Sequence, residues 1–278
     1  MIIRFSMLKT ILIPSVIGLL MLVSGVSRAQ DMEVGGMVGG TYYLGELNPE
    51  KQFLMTRPAF GGLIRMNFDD RWSARFNMLT GRVAGDDAVS LANETRNLRF
   101  RSSITEISVI VEFNFLEYFT GSKKHFFSPF IFIGPGYFTF NPRAPYQGDY
   151  VELRGLGTEG TVDNYNLYGM TGIFGLGIKY SVTDRLGIGL EWGMRKTFTD
   201  YLDDVSEYYY IDFDDFTNPD EIGMIQHLSD PSPTKHDPGM ERGNPNDNDW
   251  YSFAGISITY RFSLGEKTTC RDFENSNN

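Results

Sequence analysis

The stretch Glu106-Ile107-Ser108-Val109-Ile110-Val111-Glu112-Phe113-Asn114-Phe115 places Ile107, Val109, Val111, Phe113 and Phe115 on one side of an extended chain, and Glu106, Ser108, Glu112 and Asn114 on the other. A period of 2 marks a strand with one apolar face. Working outward, Trp72, Ala74, Phe76 and Met78 repeat the pattern. So do Phe174, Leu176, Ile178 and Tyr180, then Leu186, Ile188, Leu190 and Trp192, then Ile256, Ile258, Tyr260 and Phe262. Eight strands are expected, near Met32 to Leu44, Ala59 to Phe68, Trp72 to Val83, Phe100 to Phe115, Phe127 to Phe140, Tyr168 to Val182, Arg185 to Phe198, and Trp250 to Ser263. The fifth is apolar on both faces, so its alternation does not fix a register.

Alternation alone does not say which face is inside. A soluble barrel buries its apolar face, whereas a membrane barrel turns that face to lipid. Three features favour lipid. The strands run to about 11 residues or more, enough to cross a bilayer at a tilt. Aromatic residues make up 14% of the chain and gather in these strands and at their ends, as interfacial girdles require. The connections alternate: Asp69 to Arg71, Glu117 to Phe126 and Thr183-Asp184 are short, while Gly45 to Pro58, Ala84 to Arg99, Asn141 to Leu167 and Thr199 to Asp249 are long. Short periplasmic turns and long outer loops belong to an all-β, eight-stranded antiparallel transmembrane β-barrel, an up-and-down meander with both termini periplasmic. The runner-up architecture is a secreted lipocalin-like barrel.

The first 29 residues read as an export signal. Arg4 and Lys9 precede an apolar run from Ile11 to Val23, and Ser27-Arg28-Ala29 offers small residues at the cleavage site, so the mature chain is expected to start at Gln30. The barrel is then assigned to residues 30–265 and a periplasmic tail to 266–278. Cys270 is the only cysteine, which excludes an intramolecular disulfide. Losing Arg4, Lys9 and Arg28 would take the net charge from −10 to −13, a balance that argues against nucleic acid as a partner.

The face turned from lipid carries Glu33, Arg65, Arg75, Glu106, Glu112, Lys179, Glu191, Arg195 and Arg261. Eight strands leave a lumen just wide enough for side chains. These charges are expected to pair inside it, because an unpaired buried ion is costly; the competing reading is an ion path. No catalytic residue and no cofactor are expected. His125 falls in a short turn, and His227 and His236 fall in a loop interrupted by prolines, where a base is seldom held against a nucleophile.

The loop from Thr199 to Asp249 holds 14 acidic residues against Lys235 and Arg242. Asp212, Asp214 and Asp215 would suit a hard divalent cation, but their spacing does not match an EF-hand. A solvated, irregular loop without metal is the reading taken, with five prolines from Pro219 to Pro245 against a further domain.

Four segments together resemble a known family: Gly39 to Pro49 (GGTYYLGELNP), Arg96 to Ser102 (RNLRFRS), Gly155 to Gly160 (GLGTEG), and Arg195 to Ser206 (RKTFTDYLDDVS). They resemble the PorG family of outer-membrane barrels of the type IX secretion system and gliding machinery, over about Met32 to Tyr208. The resemblance implies a non-catalytic assembly role, with a PorK-like ring lipoprotein and its PorN-like partner in the periplasm, and outer-membrane lipid around the wall. The acidic insertion after Ser206 departs from the family and inherits no role. The alternative is a surface adhesion or ligand-binding barrel acting through its loops. Two sets of residues are candidates at the ends. Arg96, Arg99, Arg101 and the run from Arg195 to Ser206 are expected to tie the outer rim together, Arg99 and Arg101 meeting Asp200, Asp203 and Asp204, or to form a partner-contact surface. Lys123, Lys124 and His125 form a compact basic cluster suited to an acidic periplasmic partner.

Overall fold

The computed structural model describes residues 31–93, 95–159, 165–209 and 219–263. The expected signal segment, Cys270 with its tail, and Asp212, Asp214 and Asp215 lie outside those residues. Among the described residues nine strands form: β1 Asp31–Leu44, β2 Arg57–Asn67, β3 Trp72–Asp86, β4 Arg99–Asn114, β5 Phe127–Tyr146, β6 Asp149–Glu152, β7 Tyr168–Ser181, β8 Leu186–Thr197 and β9 Trp250–Ser263. Two helices accompany them, α1 Asp87–Ser90 and α2 Pro219–Ser229. The pairing order is β4-β3-β2-β1-β9-β8-β7-β5, and β4 returns to β5. Eight strands thus close into an antiparallel barrel that leaves no edge unpaired, the condition for a sheet in hydrocarbon. β6 is an addition to the end of β5, and Tyr146 pairs with Asp149 across a two-residue turn. Gln147 and Gly148, at φ 49° and 94°, both adopt the left-handed backbone that such a turn requires.

Every strand of the barrel turns an apolar row outward. Val38 on β1, Phe60 on β2, Met78 on β3, Val109 on β4, Ile133 on β5, Leu176 on β7, Leu190 on β8 and Ile258 on β9 are all more than half exposed. In water this belt would far exceed the apolar patches that soluble proteins tolerate, so lipid is its solvent. Trp72, Phe115, Phe126, Tyr180, Tyr260 and Phe262 ring the short-turn end, and Tyr137, Tyr168 and Phe198 stand towards the long-loop end. No helix among the described residues is long and apolar enough to cross a membrane; the crossing is made by strands.

β5 resolves the strand whose register was open. Ile131, Ile133 and Tyr137 face out, and Phe130, Phe132, Phe138 and Phe140 are buried inside. Space for the inner rings comes from glycines on the neighbouring strand β7, where Gly175 pairs with Phe132 and Gly177 with Phe130. A Cβ on Gly175 would lie 2.4 Å from Phe132, and one on Gly177 would lie 2.6 Å from Phe130.

The loop assignments need correction. β3 and β5 run past their expected ends, β6 occupies part of the expected 141–167 loop, and α2 lies in the segment read as irregular. α2 packs Leu228 against Ala144 and Leu153, with Met224 beside them.

Candidate functional site

Glu112, fully buried on β4, sits at the centre of the lumen charges. Arg65 Nε is 2.8 Å from its carboxylate, Arg75 Nε 3.1 Å and Lys179 Nζ 2.6 Å. Arg65 also reaches Glu33 at 2.7 Å, and Arg75 reaches Glu191 at 2.5 Å. Nearer the long-loop end, Arg195 Nε lies 3.1 Å from Glu106, which accepts a 2.8 Å hydrogen bond from the Tyr251 hydroxyl. Arg65, Arg75, Lys179 and Arg195 therefore balance Glu33, Glu106, Glu112 and Glu191, and all eight side chains are at most 4% exposed. Arg261 stands apart from this set: it donates to the Asp184 carbonyl at 3.1 Å and lies over the Phe119 ring. Ion pairs of this kind neutralise one another inside a barrel whose eight strands leave room for little more than side chains.

At the long-loop end the four motif segments, far apart in sequence, meet. Tyr43 packs with Leu47, Leu98, Phe100, Phe138, Phe140, Leu202 and Val205 in an apolar core above the charges. Arg96 is buried and holds Asp87 at 2.8 Å, the Glu46 carbonyl at 3.0 Å and the Arg242 carbonyl at 2.6 Å. Arg242, from the acidic loop, reaches Glu159 at 2.8 Å, the Asp204 carbonyl at 2.6 Å and the Ser229 carbonyl at 3.1 Å. Asp204 accepts from Thr158 and Tyr165, each at 2.6 Å, and Glu159 accepts from the Ser206 amide at 2.9 Å. The acidic loop therefore folds back as part of a cap.

The expected rim pairs are not the ones made. Arg99 pairs with Asp86 at 2.5 Å, Arg101 stacks on the Tyr150 ring, and Arg195 is a lumen residue. Asp200, Asp203 and Asp204 are buried instead in the cap. Burial raises their carboxyls: Asp200 is pushed up to about 8 by desolvation and the neighbouring Asp203, and Asp204 to about 6 by desolvation, which Arg242 partly opposes. Arg242, Glu159, Asp249 and Tyr43 were not singled out as site residues from the sequence, although Tyr43 and Glu159 fall inside the motif segments and Arg242 is a rare cation in an acidic run.

The short-turn end is also built. The 117–126 turn folds under the barrel: Tyr118 and Thr120 are buried, the Thr120 hydroxyl donates to Glu33 at 2.8 Å, and the Gly121 amide donates to Ser181 at 2.7 Å. Gly121 has φ 100°, and a Cβ there would come within 2.3 Å of the Asp184 carbonyl oxygen. The Ser122 hydroxyl accepts from the Lys124 and His125 amides at 3.2 and 2.9 Å. Lys123 and Lys124 are left exposed, and half-buried His125 lies 3.4 Å from Glu117.

Residues 11–220 match the family described as a domain of unknown function, DUF6089. The chain belongs to the DUF6089 family. No curated protein matches this DUF6089 chain significantly. Among solved structures it is similar to Ail of Yersinia pestis in complex with a heparin analogue, at 8% identity and TM-score 0.41, with 84% of this chain and 100% of that chain covered. It is likewise similar to OprG of Pseudomonas aeruginosa, at 11% identity and TM-score 0.42, covering 85% and 98%. Neisserial surface protein A is similar at 8% identity and TM-score 0.35, covering 84% and 98%.

Proposed function

We propose that this DUF6089 barrel is a non-enzymatic outer-membrane component of the type IX secretion and gliding machinery that anchors a periplasmic ring, as the PorG resemblance implies. The observation that carries the reading is the short-turn end. A filled, charge-neutral lumen moves function to the ends of the barrel, and the 117–126 turn is clamped to the lumen while displaying Lys123 and Lys124. Short turns of membrane barrels face the periplasm, where a ring would sit. Two cations on a rigid turn steer an acidic partner and fix its register at little entropic cost. The pair narrows the cluster expected from sequence, since His125 leans on Glu117.

The test is recovery of the PorK-like ring lipoprotein with the barrel from detergent-solubilised membranes. A Lys123→Ala, Lys124→Ala, His125→Ala variant is expected to lose the lipoprotein while keeping its folded gel mobility. Undiminished recovery refutes the reading. The second reading, a surface barrel binding through its loops, is favoured by one observation: the cap holds a cavity of about 260 Å³ edged by Leu98, Arg99, Leu153, Leu228 and Arg242. Loss of surface attachment, with secretion and ring recovery intact, on emptying that cap would favour it.

A further inference from the structure

The cap gathers carboxylates that have no cation of their own. Oxygens of Glu46, Asp203 and Asp249 all lie within 4.8 Å of one another. They come from the end of β1, the acidic loop and the residue before β9, so only the folded cap assembles them. The Tyr43 hydroxyl stands among them, 2.5 Å from Asp203, 2.9 Å from Asp249 and 3.4 Å from Glu46. Backbone amides orient the aspartates: Leu202 donates to Asp249 at 3.0 Å, and Val205 to Asp203 at 2.9 Å. Gly45 lets the chain pass close by, because a Cβ there would lie 2.3 Å from the Asp249 carboxylate.

A fourth carboxylate points to what is missing. Asp200 is 7% exposed, and neither of its oxygens completes a hydrogen bond of ordinary geometry, although the Ser206 side chain stands close enough to favour its charged form. Its charge bears on both Glu46 and Asp249. A buried carboxylate without a partner is costly, and native structures supply one. Among the described residues none of these four carboxylates is in a salt bridge. Arg96, whose charge bears on Glu46 and Asp203, is already held by Asp87.

We infer that Glu46, Asp203 and Asp249, with Asp200 beside them, form a site for a hard divalent cation of the calcium class at the long-loop end of the barrel. Such ions take several carboxylate oxygens and complete their shell with water. Each carboxylate oxygen that accepts one hydrogen bond keeps a lone pair for the metal. The site is built from residues other than Asp212, Asp214 and Asp215, and it does not depend on which partner the barrel serves. The bound ion would replace the protons that burial otherwise holds on the cluster: Glu46 is pushed up to about 7 by desolvation and Asp200, while Asp203 and Asp249 stand well above the usual carboxylate range through desolvation and the charges of Glu46 and Asp203 respectively.

The test uses the full mature chain, refolded in detergent and freed of metal by chelator. Terbium alone is titrated at neutral pH with excitation of tyrosine, since Tyr43 lies at the site and transfers energy to a bound lanthanide; calcium alone is then added as competitor up to about 10 mM, which spans the range of weak extracellular sites. The expected result is saturable emission that calcium displaces. Glu46→Gln and Asp203→Asn should each weaken binding about tenfold or more, consistent with the loss that even an outer partner of a metal ligand causes. Both should keep the heat-dependent gel shift of a folded barrel. An Asp212→Asn, Asp214→Asn, Asp215→Asn variant should bind unchanged. Absence of saturable emission overturns the inference, and so does binding that survives in Glu46→Gln and Asp203→Asn or is lost in the triple variant. Should Asp203→Asn fail to fold, the half-buried Glu46 still decides the matter.

Discussion

Replacing Glu112 by Gln changes the lumen by one charge while keeping its shape. Three cations lie within 3.1 Å of the Glu112 carboxylate. Arg65 and Arg75 each keep a second carboxylate, Glu33 and Glu191, whereas Lys179 keeps no ion pair, just the amide oxygen of Asn114 at 3.0 Å and the face of the Phe130 ring. The net effect is one buried ammonium without a counter-charge. Removing one partner of a buried pair costs about 3–5 kcal/mol, and the full cost is expected here because the lysine cannot reach solvent. Lys179→Met in the same chain removes the orphan and should recover most of the loss. The assay is urea unfolding of the barrel in lipid vesicles, followed by tryptophan fluorescence, for the wild type, both single variants and the double. A Glu112→Gln variant as stable as wild type, or losses that simply add in the double, would refute the charge-balance reasoning.

Two other perturbations separate the wall from the cap. Val111→Arg or Leu176→Arg, on the lipid face near mid-strand, should cost roughly 2–4 kcal/mol each in the same unfolding assay; an unchanged midpoint would mean that the belt does not meet hydrocarbon. The cap should loosen as pH rises. Unfolded carboxyls titrate near 4, but Glu46 and Asp200 hold protons to about 7 and about 8. Across that window the folded cap binds more protons than the unfolded chain, so its stability falls with rising pH. In the presence of chelator, proteolysis of the 199–249 loop should therefore be faster at pH 8.5 than at pH 5.5, and equal or slower cleavage would contradict the burial described.

How much was legible follows from what each pattern encodes. β4 could be read outright, because its lipid face is apolar and its lumen face carries Glu106, Ser108, Glu112 and Asn114. β5 could not, since Phe130 and Phe132 are tolerated inside only where Gly175 and Gly177 vacate room on a neighbouring strand, a relation between strands that one strand's period does not hold. The lumen residues were visible as polar alternation, but their partners were not, and Arg261 at the strand's end looked like one of them. In the cap, acidic composition suggested solvent, whereas Arg96 and Arg242 bury that composition through contacts up to 146 residues apart in sequence. α2 did leave a trace: Pro219-Asp220-Glu221 suits a helix start, and Met224, Ile225 and Leu228 share one face. Proline counting across the whole loop obscured it.

We propose that this membrane barrel is sealed and acts through its ends. Single-channel recording of the purified barrel in planar bilayers tests it directly, because a lumen filled by eight paired charges and the β5 phenylalanines passes no hydrated ion. The account predicts a current at the level of the bare bilayer. Stable, unitary conductance steps that scale with protein inserted would contradict it.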